Sequence, residues 1–262
     1  MSSNVMHVAK TGLNAQQARI QVISNNLANV NTTGFKRDRA NFETLMYQTW
    51  RPAGAQTAEG TQATSATTIG TGVRLVSTEK IYTQGNMTMT ENALDVAIDG
   101  RGFLQVLMPN GQTGYTRNGI LSQNAEGTLT TTSGYVIQPE TQIPADATSI
   151  TISRDGIISV TRPGEIEAEE VGQLILAQFP NPRGLQPVGE NLLVATPASG
   201  APIEGAPMAD GMGDLVQGAL ETSNVNVVQE LVDMIEAQRA YEINSRSISA
   251  SDEMMSYLAN KL

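Results

Sequence analysis

The sequence predicts an α+β fold, mainly antiparallel β, with an α-helix at each end. Three observations carry this. The first thirty and last forty residues repeat apolar side chains at alternating spacings of three and four. The middle breaks into short apolar runs punctuated by Gly, Asn, Asp and Pro. Between the first helix and that middle lies a Thr- and Ala-rich stretch with almost no large apolar side chain.

Met6, Ala9, Leu13, Gln16, Ile20, Ile23, Leu27 and Val30 follow the spacing of a coiled-coil seam. The opposite face carries Lys10, Asn14, Gln17, Arg19, Gln21 and Asn25. Ser2 or Ser3 is the candidate cap, and the helix is expected to end near Asn29 to Asn31, before Gly34. At 1.5 Å per residue such a helix is roughly 40 Å long.

Residues 35–75 form an extended connector. From Ala53 to Gly72 the chain is Thr, Ala, Gln and Gly and cannot bury enough apolar surface to fold alone. Residues 76–219 read as the β-rich domain. Arg154-Asp155-Gly156 between Ile150–Ile152 and Ile157–Val160 is a strong hairpin signal. Asn110-Gly111, Asn118-Gly119 and Glu126-Gly127 add similar punctuation, and Gly100-Arg101-Gly102 marks a tight turn. A Pro-rich stretch, Pro197 to Pro207, leads towards the last helix.

That helix repeats the alternation at Val227, Leu231, Met234, Gln238, Tyr241, Ser245, Ile248, Asp252, Met255, Ala259 and Leu262, widened by Val228, Ile235 and Leu258. Ser223 or Asn224 is its candidate cap. Polar Gln238, Ser245 and Asp252 on the stripe argue against a simple two-stranded coil and for a crowded environment. Residues 1–34 and 220–262 are thus expected to form one helical domain. Its apolar stripes pack on each other, on the β domain or on partners.

The composition removes several function classes. Sixteen basic against 26 acidic residues leave a net charge of −10, the wrong sign for nucleic acid or anionic lipid. There is no cysteine, hence no disulfide, thiolate nucleophile or common zinc site. No apolar run is long enough to cross a membrane. Met1 to Lys10 lacks the pattern of a secretory signal, so the expectation is a cytoplasmic chain or one exported without cleavage. His7, the one histidine, builds no triad and reads as a surface or interface residue. Asp95 and Asp99 read as turn chemistry at the ends of a strand. Glu165 to Glu170 lacks the pattern of a calcium loop, and Gly100-Arg101-Gly102 lacks the Lys-Ser/Thr of a phosphate loop. No catalytic residue, metal site or cofactor is expected.

Several motifs carry a family resemblance. Ser24-Asn25-Asn26-Leu27-Ala28-Asn29-Val30-Asn31-Thr32-Thr33-Gly34-Phe35-Lys36-Arg37 resembles the N-terminal signature of bacterial flagellar axial proteins of the rod and hook family. Glu221 to Val227 and Gln238-Arg239-Ala240-Tyr241-Glu242-Ile243-Asn244 resemble its C-terminal signature. Asp95 to Phe103, Tyr115-Thr116-Arg117-Asn118-Gly119 and Gly189-Glu190-Asn191-Leu192 are similar to its β-domain motifs. The segment Tyr47-Gln48-Thr49, then Arg51-Pro52-Ala53-Gly54-Ala55-Gln56, looks like an insertion found in distal-rod members. Trp50 departs from that pattern and is read as a packing contact.

The resemblance implies a structural subunit, not an enzyme. Its terminal helices would line a rigid tube that serves as drive shaft and export channel. It implies a subunit interface at Met6, Leu13, Ile20, Ile23, Asn25, Asn26, Leu27, Asn29, Gly34, Phe35 and Lys36. On the second helix it implies Val227, Leu231, Met234, Ile235, Gln238, Arg239, Tyr241, Ile248, Met255 and Leu258. Tyr47, Gln48, Arg51, Pro52, Gly54 and Gln56 would be specific to the rod. Arg239 is expected to pair with Glu236 or Glu242. The implied partners are further copies, proximal rod and hook proteins, the P- and L-ring proteins, a rod cap and the type III export apparatus, with no nucleic acid and no membrane insertion. The implied location is the basal body, from periplasm to outer membrane. Hook or proximal rod subunits are the near alternative. A secreted acidic adhesin or hydrolase is the distant one.

Overall fold

The computed structural model describes residues 2–54, 56–58, 61–62, 64–164, 168–209 and 211–261. They divide into two compact units. One holds residues up to 28, 38–79 and those from 226 onward; the other holds 29–37 and 80–225. Neither described helix is long and apolar enough to cross a membrane.

In the first unit, α1 (Ser2–Ala28) and α2 (Val227–Lys261) pack against each other. Three contacts set an antiparallel register. Asn26 Nδ2 donates to Glu230 Oε2 at 3.2 Å. Arg19 lies 3.4 Å from Asp233 and 3.7 Å from Glu236. A Cβ on Gly12 would meet the Asn244 amide at 3.2 Å. On α1 the expected seam is the less exposed face: Ala9 and Ile23 are buried, and Met6, Leu13, Gln16, Ile20 and Leu27 are half-buried.

On α2 the inward face differs from the stripe read in the sequence. Glu230, Ala237 and Ser251 are its buried positions, and Asp233, Met234, Ala240, Asn244 and Ile248 are half-buried. Small residues there, opposite Ala9, Gly12 and Ala15 on α1, leave room for two backbones to approach closely. Of the larger apolar side chains of α2, Val228, Leu231, Val232, Ile235 and Ile243 are exposed.

The cap of α2 is also different. Asn226 Oδ1 accepts from the backbone N–H of Val228 at 3.0 Å and Gln229 at 3.3 Å, so Asn226 is the N-cap, not Ser223 or Asn224. Ser223 Oγ accepts from Val225 N–H, and Asn224 is bound within the second unit. The Ser2 and Ser3 side chains lie outside the described residues.

The rest of this unit is a two-stranded ribbon. Strand Asp38–Thr44 pairs with Val73–Lys80, Tyr47–Arg51 with Thr67–Gly70, and Gln56–Ala58 with Thr61–Gln62. Tyr47–Arg51 and Thr67–Gly70 are exposed throughout, which is the low burial their composition dictates. Asn26 ties the ribbon's base to the helices: its side-chain oxygen accepts from Asp38 N–H at 2.8 Å, and its amide donates to Asp38 O at 2.9 Å.

The second unit is antiparallel β. Phe103–Leu107 is the central strand of a nine-stranded sheet among the described residues. It pairs with Thr113–Thr116 on one side, and with Val136–Gln138 and Leu176–Gln178 on the other. Ser149–Ile152, Ile157–Thr161 and Glu169–Gln173 make a three-stranded sheet, with the Asp155-Gly156 turn closing its first hairpin as expected. Gly111 and Gly127 likewise close hairpins, at φ 78° and 85°. Asn118-Gly119 does not. A Cβ on Gly119 would lie 1.6 Å from Val96 O, so this glycine serves a close backbone crossing. Leu104, Val106, Leu129, Ile137, Ile158, Val160, Leu174, Leu176 and Leu215 form one aliphatic core, and Phe103, Tyr115, Phe179, Leu185 and Leu193 a second, aromatic one.

Candidate assembly interface

Motifs far apart in sequence converge inside the second unit on one buried carboxylate. Glu221 ends strand Ala219–Glu221 and is 1% exposed. Lys36 Nζ donates to its Oε1 at 2.6 Å, and Arg117 Nε lies 3.1 Å from its Oε2. Gly85 N–H also donates to Oε1, at 2.8 Å. Arg117 spends its remaining nitrogens on Gly102 O at 2.8 Å and Gly100 O at 2.9 Å, which holds the Gly100-Arg101-Gly102 turn. Gly34, at φ 68°, donates its N–H to Glu221 O at 2.8 Å; a Cβ there would sit 2.5 Å from Arg117 O. Asn224 accepts from Arg37 N–H and donates to Ile81 O, both at 2.8 Å. Asn191 donates to Thr33 O at 2.8 Å.

Two buried cations share one carboxylate. Burial and then the charge of Arg117 push the Lys36 ammonium below the ordinary lysine range, with Glu221 opposing. Burial lowers Arg117 in the same way, opposed by Glu221 and Asp99. This arrangement binds the chain before strand Asp38–Thr44 to the segment before α2. Phe35 and Lys36, expected at a subunit interface, are buried within this unit, with Lys80 Nζ 4.9 Å above the Phe35 ring. Asn29 accepts from the Thr32 hydroxyl at 3.1 Å. Asp95 also serves a turn, accepting from Thr90 at 2.6 Å and Asn92 at 3.0 Å.

The outward surface of α2 carries large apolar side chains among polar ones. Val227, Leu231, Ile235, Tyr241 and Met255 are exposed, as are Val228 (71%) and Ile243 (65%), with Gln238 and Arg239 between them. Val5 and Val8 on α1 are exposed too. Met234 and Ile248 are half-buried against α1, and the Leu258 and Leu262 side chains lie outside the described residues. Arg239 makes no ion pair among the described residues, because Glu236 turns to Arg19 instead. Asn25 is exposed and reaches Asp38 at 3.4 Å. Tyr47, Gln48, Trp50, Arg51, Pro52, Gly54 and Gln56 all lie exposed on the ribbon, Gln48 accepting from Asn4 at 3.1 Å.

Exposed apolar side chains on α2 are surface that its pairing with α1 leaves uncovered. Residues 6–36 match the family model described as "Flagella basal body rod protein". Residues 97–160 match "Flagellar hook protein FlgE/F/G D1 domain", and residues 216–262 match "Flagellar basal body rod FlgEFG protein C-terminal". The chain is 54% identical over 252 residues to the flagellar basal-body rod protein FlgG of Buchnera aphidicola subsp. Schizaphis graminum, covering 96% of this chain and 97% of that one. It is 45% identical to the protein of that name from Caulobacter vibrioides, over 95% and 96% of the two chains. With the Bacillus subtilis one it is 36% identical, again over 95% and 96%.

The chain belongs to the flagellar basal-body rod protein family. It is a structural subunit of the distal rod, and its place is the basal body. Each of the three matched segments of this rod subunit supplies one member of the buried ion cluster: Lys36, Arg117 and Glu221. Sequence reasoning picked out the motifs containing Arg117 and Glu221 but gave neither residue a role. The available signal was one acidic residue in a C-terminal motif, with a basic residue in each of two others. Glu230, fully buried at the start of α2, was also missed. An acid in the first turn of a helix was the clue.

Proposed function

We propose that this rod subunit polymerises into a rigid tubular drive shaft that carries torque towards the hook and encloses part of the export channel. The observation that carries this reading is the outward stripe of α2, Val228, Leu231, Ile235, Tyr241 and Ile243, which pairing with α1 leaves uncovered. Exposed apolar surface of this kind marks an association site. Further copies of the chain are its first partners; their contacts are heterologous and propagate as an open helix. The subunit-interface residues proposed here are the exposed members of the helical stripes, with the ribbon around Tyr47 to Gln56 bridging neighbours and stiffening the tube. Proximal rod and hook proteins at the two ends, P- and L-ring proteins outside, a rod cap and the type III export apparatus complete the proposed partners. The proposed location runs from periplasm to outer membrane. The role is scaffolding, with no catalytic step and no cofactor.

The test is Val228→Asp with Ile235→Asp, measured by sedimentation over a concentration series and by electron microscopy of the pellet. Both side chains face outward, so the monomer should melt within about 0.5 kcal/mol of wild type. Tubes should require at least a tenfold higher concentration. Tubes formed at the wild-type concentration would sink the proposal.

A further inference from the structure

The ribbon of the first unit is seated along α1. Asn26 holds its base at Asp38, and Asn4 reaches its outer strand, donating to Gln48 at 3.1 Å. Between these contacts the ribbon turns a corner. The inner pair of strands stops at Thr44 and Val73, the outer pair starts at Tyr47 and Gly70, and Leu45, Met46, Thr71 and Gly72 make the corner. Leu45 N–H donates to Gly72 O at 2.9 Å, and the Thr71 hydroxyl donates to Met46 O. Thr11 meets this corner as a peg meets a notch. Its hydroxyl donates to Val8 O at 2.8 Å, back along α1, and accepts from Val73 N–H at 3.3 Å. The first bond fixes the rotamer, and the second passes that orientation to the ribbon. The notch is Gly72, at φ 123°. A Cβ there would overlap the Thr11 hydroxyl, so backbone angle and space both demand glycine.

We propose that Thr11 and Gly72 form a positioning lock that sets the direction of the outer ribbon. This rests on the polymerisation reading and names the residues on which the ribbon's bridging of a second copy depends. Beyond the corner, Tyr47–Arg51 and Thr67–Gly70 are exposed throughout, so burial does little to fix their direction. The lock supplies what burial does not. Pairing slips between Thr49 and Arg51, which leaves Trp50 as the extra residue, 54% exposed. A bulge re-aims its side chain, and the corner in turn aims the bulge. An arm held in one direction before contact loses less conformational freedom on bridging than a loose one.

A single tryptophan and the absence of cysteine make the ribbon's direction measurable in the full chain. An acceptor dye on Gln17→Cys, exposed on α1, reads the spread of its distances from Trp50 in the monomer by time-resolved energy transfer. Unlabelled protein is assembled, and the bending of tubes is read by electron microscopy. Thr11→Val removes the hydroxyl at nearly constant volume, Thr11→Ser keeps it, and Gly72→Ala fills the notch. Expected in Thr11→Val are a wild-type melting curve, a distance spread that at least doubles and tubes that bend more. Thr11→Ser should match wild type in all three, and Gly72→Ala should follow Thr11→Val. Thr11→Val alters no backbone angle, so it carries the test even where Gly72→Ala fails to fold. An unchanged spread in Thr11→Val overturns the lock. A doubled spread with tubes as stiff as wild type overturns its part in bridging while leaving the polymerisation reading intact. Wild-type protein that forms no tubes at any concentration overturns both readings.

Discussion

Glu221 has two cations to satisfy and no water to help it. Replacing it by Gln takes the paired carboxylate from buried Lys36 and Arg117, and breaking a buried pair in this way costs about 3–5 kcal/mol. Urea unfolding of Glu221→Gln should show that loss. Lys36→Met should cost much less, because Glu221 keeps Arg117 at 3.1 Å. The same residue sets a pH dependence. The folded Lys36 sits below its ordinary value of 10.5, so between the two values the unfolded chain holds more protons. Stability from this group therefore rises with pH across that window. Tyr115, raised by burial, acts oppositely above 10.0. The stability difference between wild type and Lys36→Met should accordingly grow in favour of wild type as pH climbs towards 10.5, read from unfolding curves at a series of pH values. A flat difference would mean that Lys36 is not desolvated.

Elements differ in what holds them. The first turn of α2 depends on Asn226, and Asn226→Ala should cost about 1 kcal/mol, seen as lost hydrogen-exchange protection at Val228 and Gln229. Ser223→Ala should leave those amides unchanged. The ribbon is the opposite case. Its outer strands bury almost nothing, so deleting residues 53–70 should leave the melting of the monomer within about 0.5 kcal/mol of wild type. Any effect should appear only in the bending stiffness of the tube. The composition of this segment already announced its low burial, since Thr, Ala, Gln and Gly supply no core.

At the scale of the whole chain, the two units have unequal means of support. The β unit carries an aliphatic and an aromatic core. The helical unit closes on the α1 seam around Ile23 and on small and polar residues of α2, and many large apolar side chains of α2 stay outside. In the proposed assembly, binding of further copies to native helices stabilises them by mass action. Calorimetry over a concentration series should therefore show a helical transition that rises with protein concentration beside a β transition that does not.

The sequence by itself determined the helix at each end, the antiparallel middle, the hairpins at Gly111, Gly127 and Gly156, and the poverty of the ribbon. Each follows from local periodicity or a single backbone preference, which neighbouring residues settle among themselves. Only the tertiary structure decided which side of α2 faces α1. Periodicity locates the apolar stripe of a helix, yet close approach selected the small-residue face and left the stripe for others. It also decided the roles of Glu221, Lys36 and Arg117. A charge looks solvent-bound in a sequence until distant segments remove its water, and only then does it need a partner.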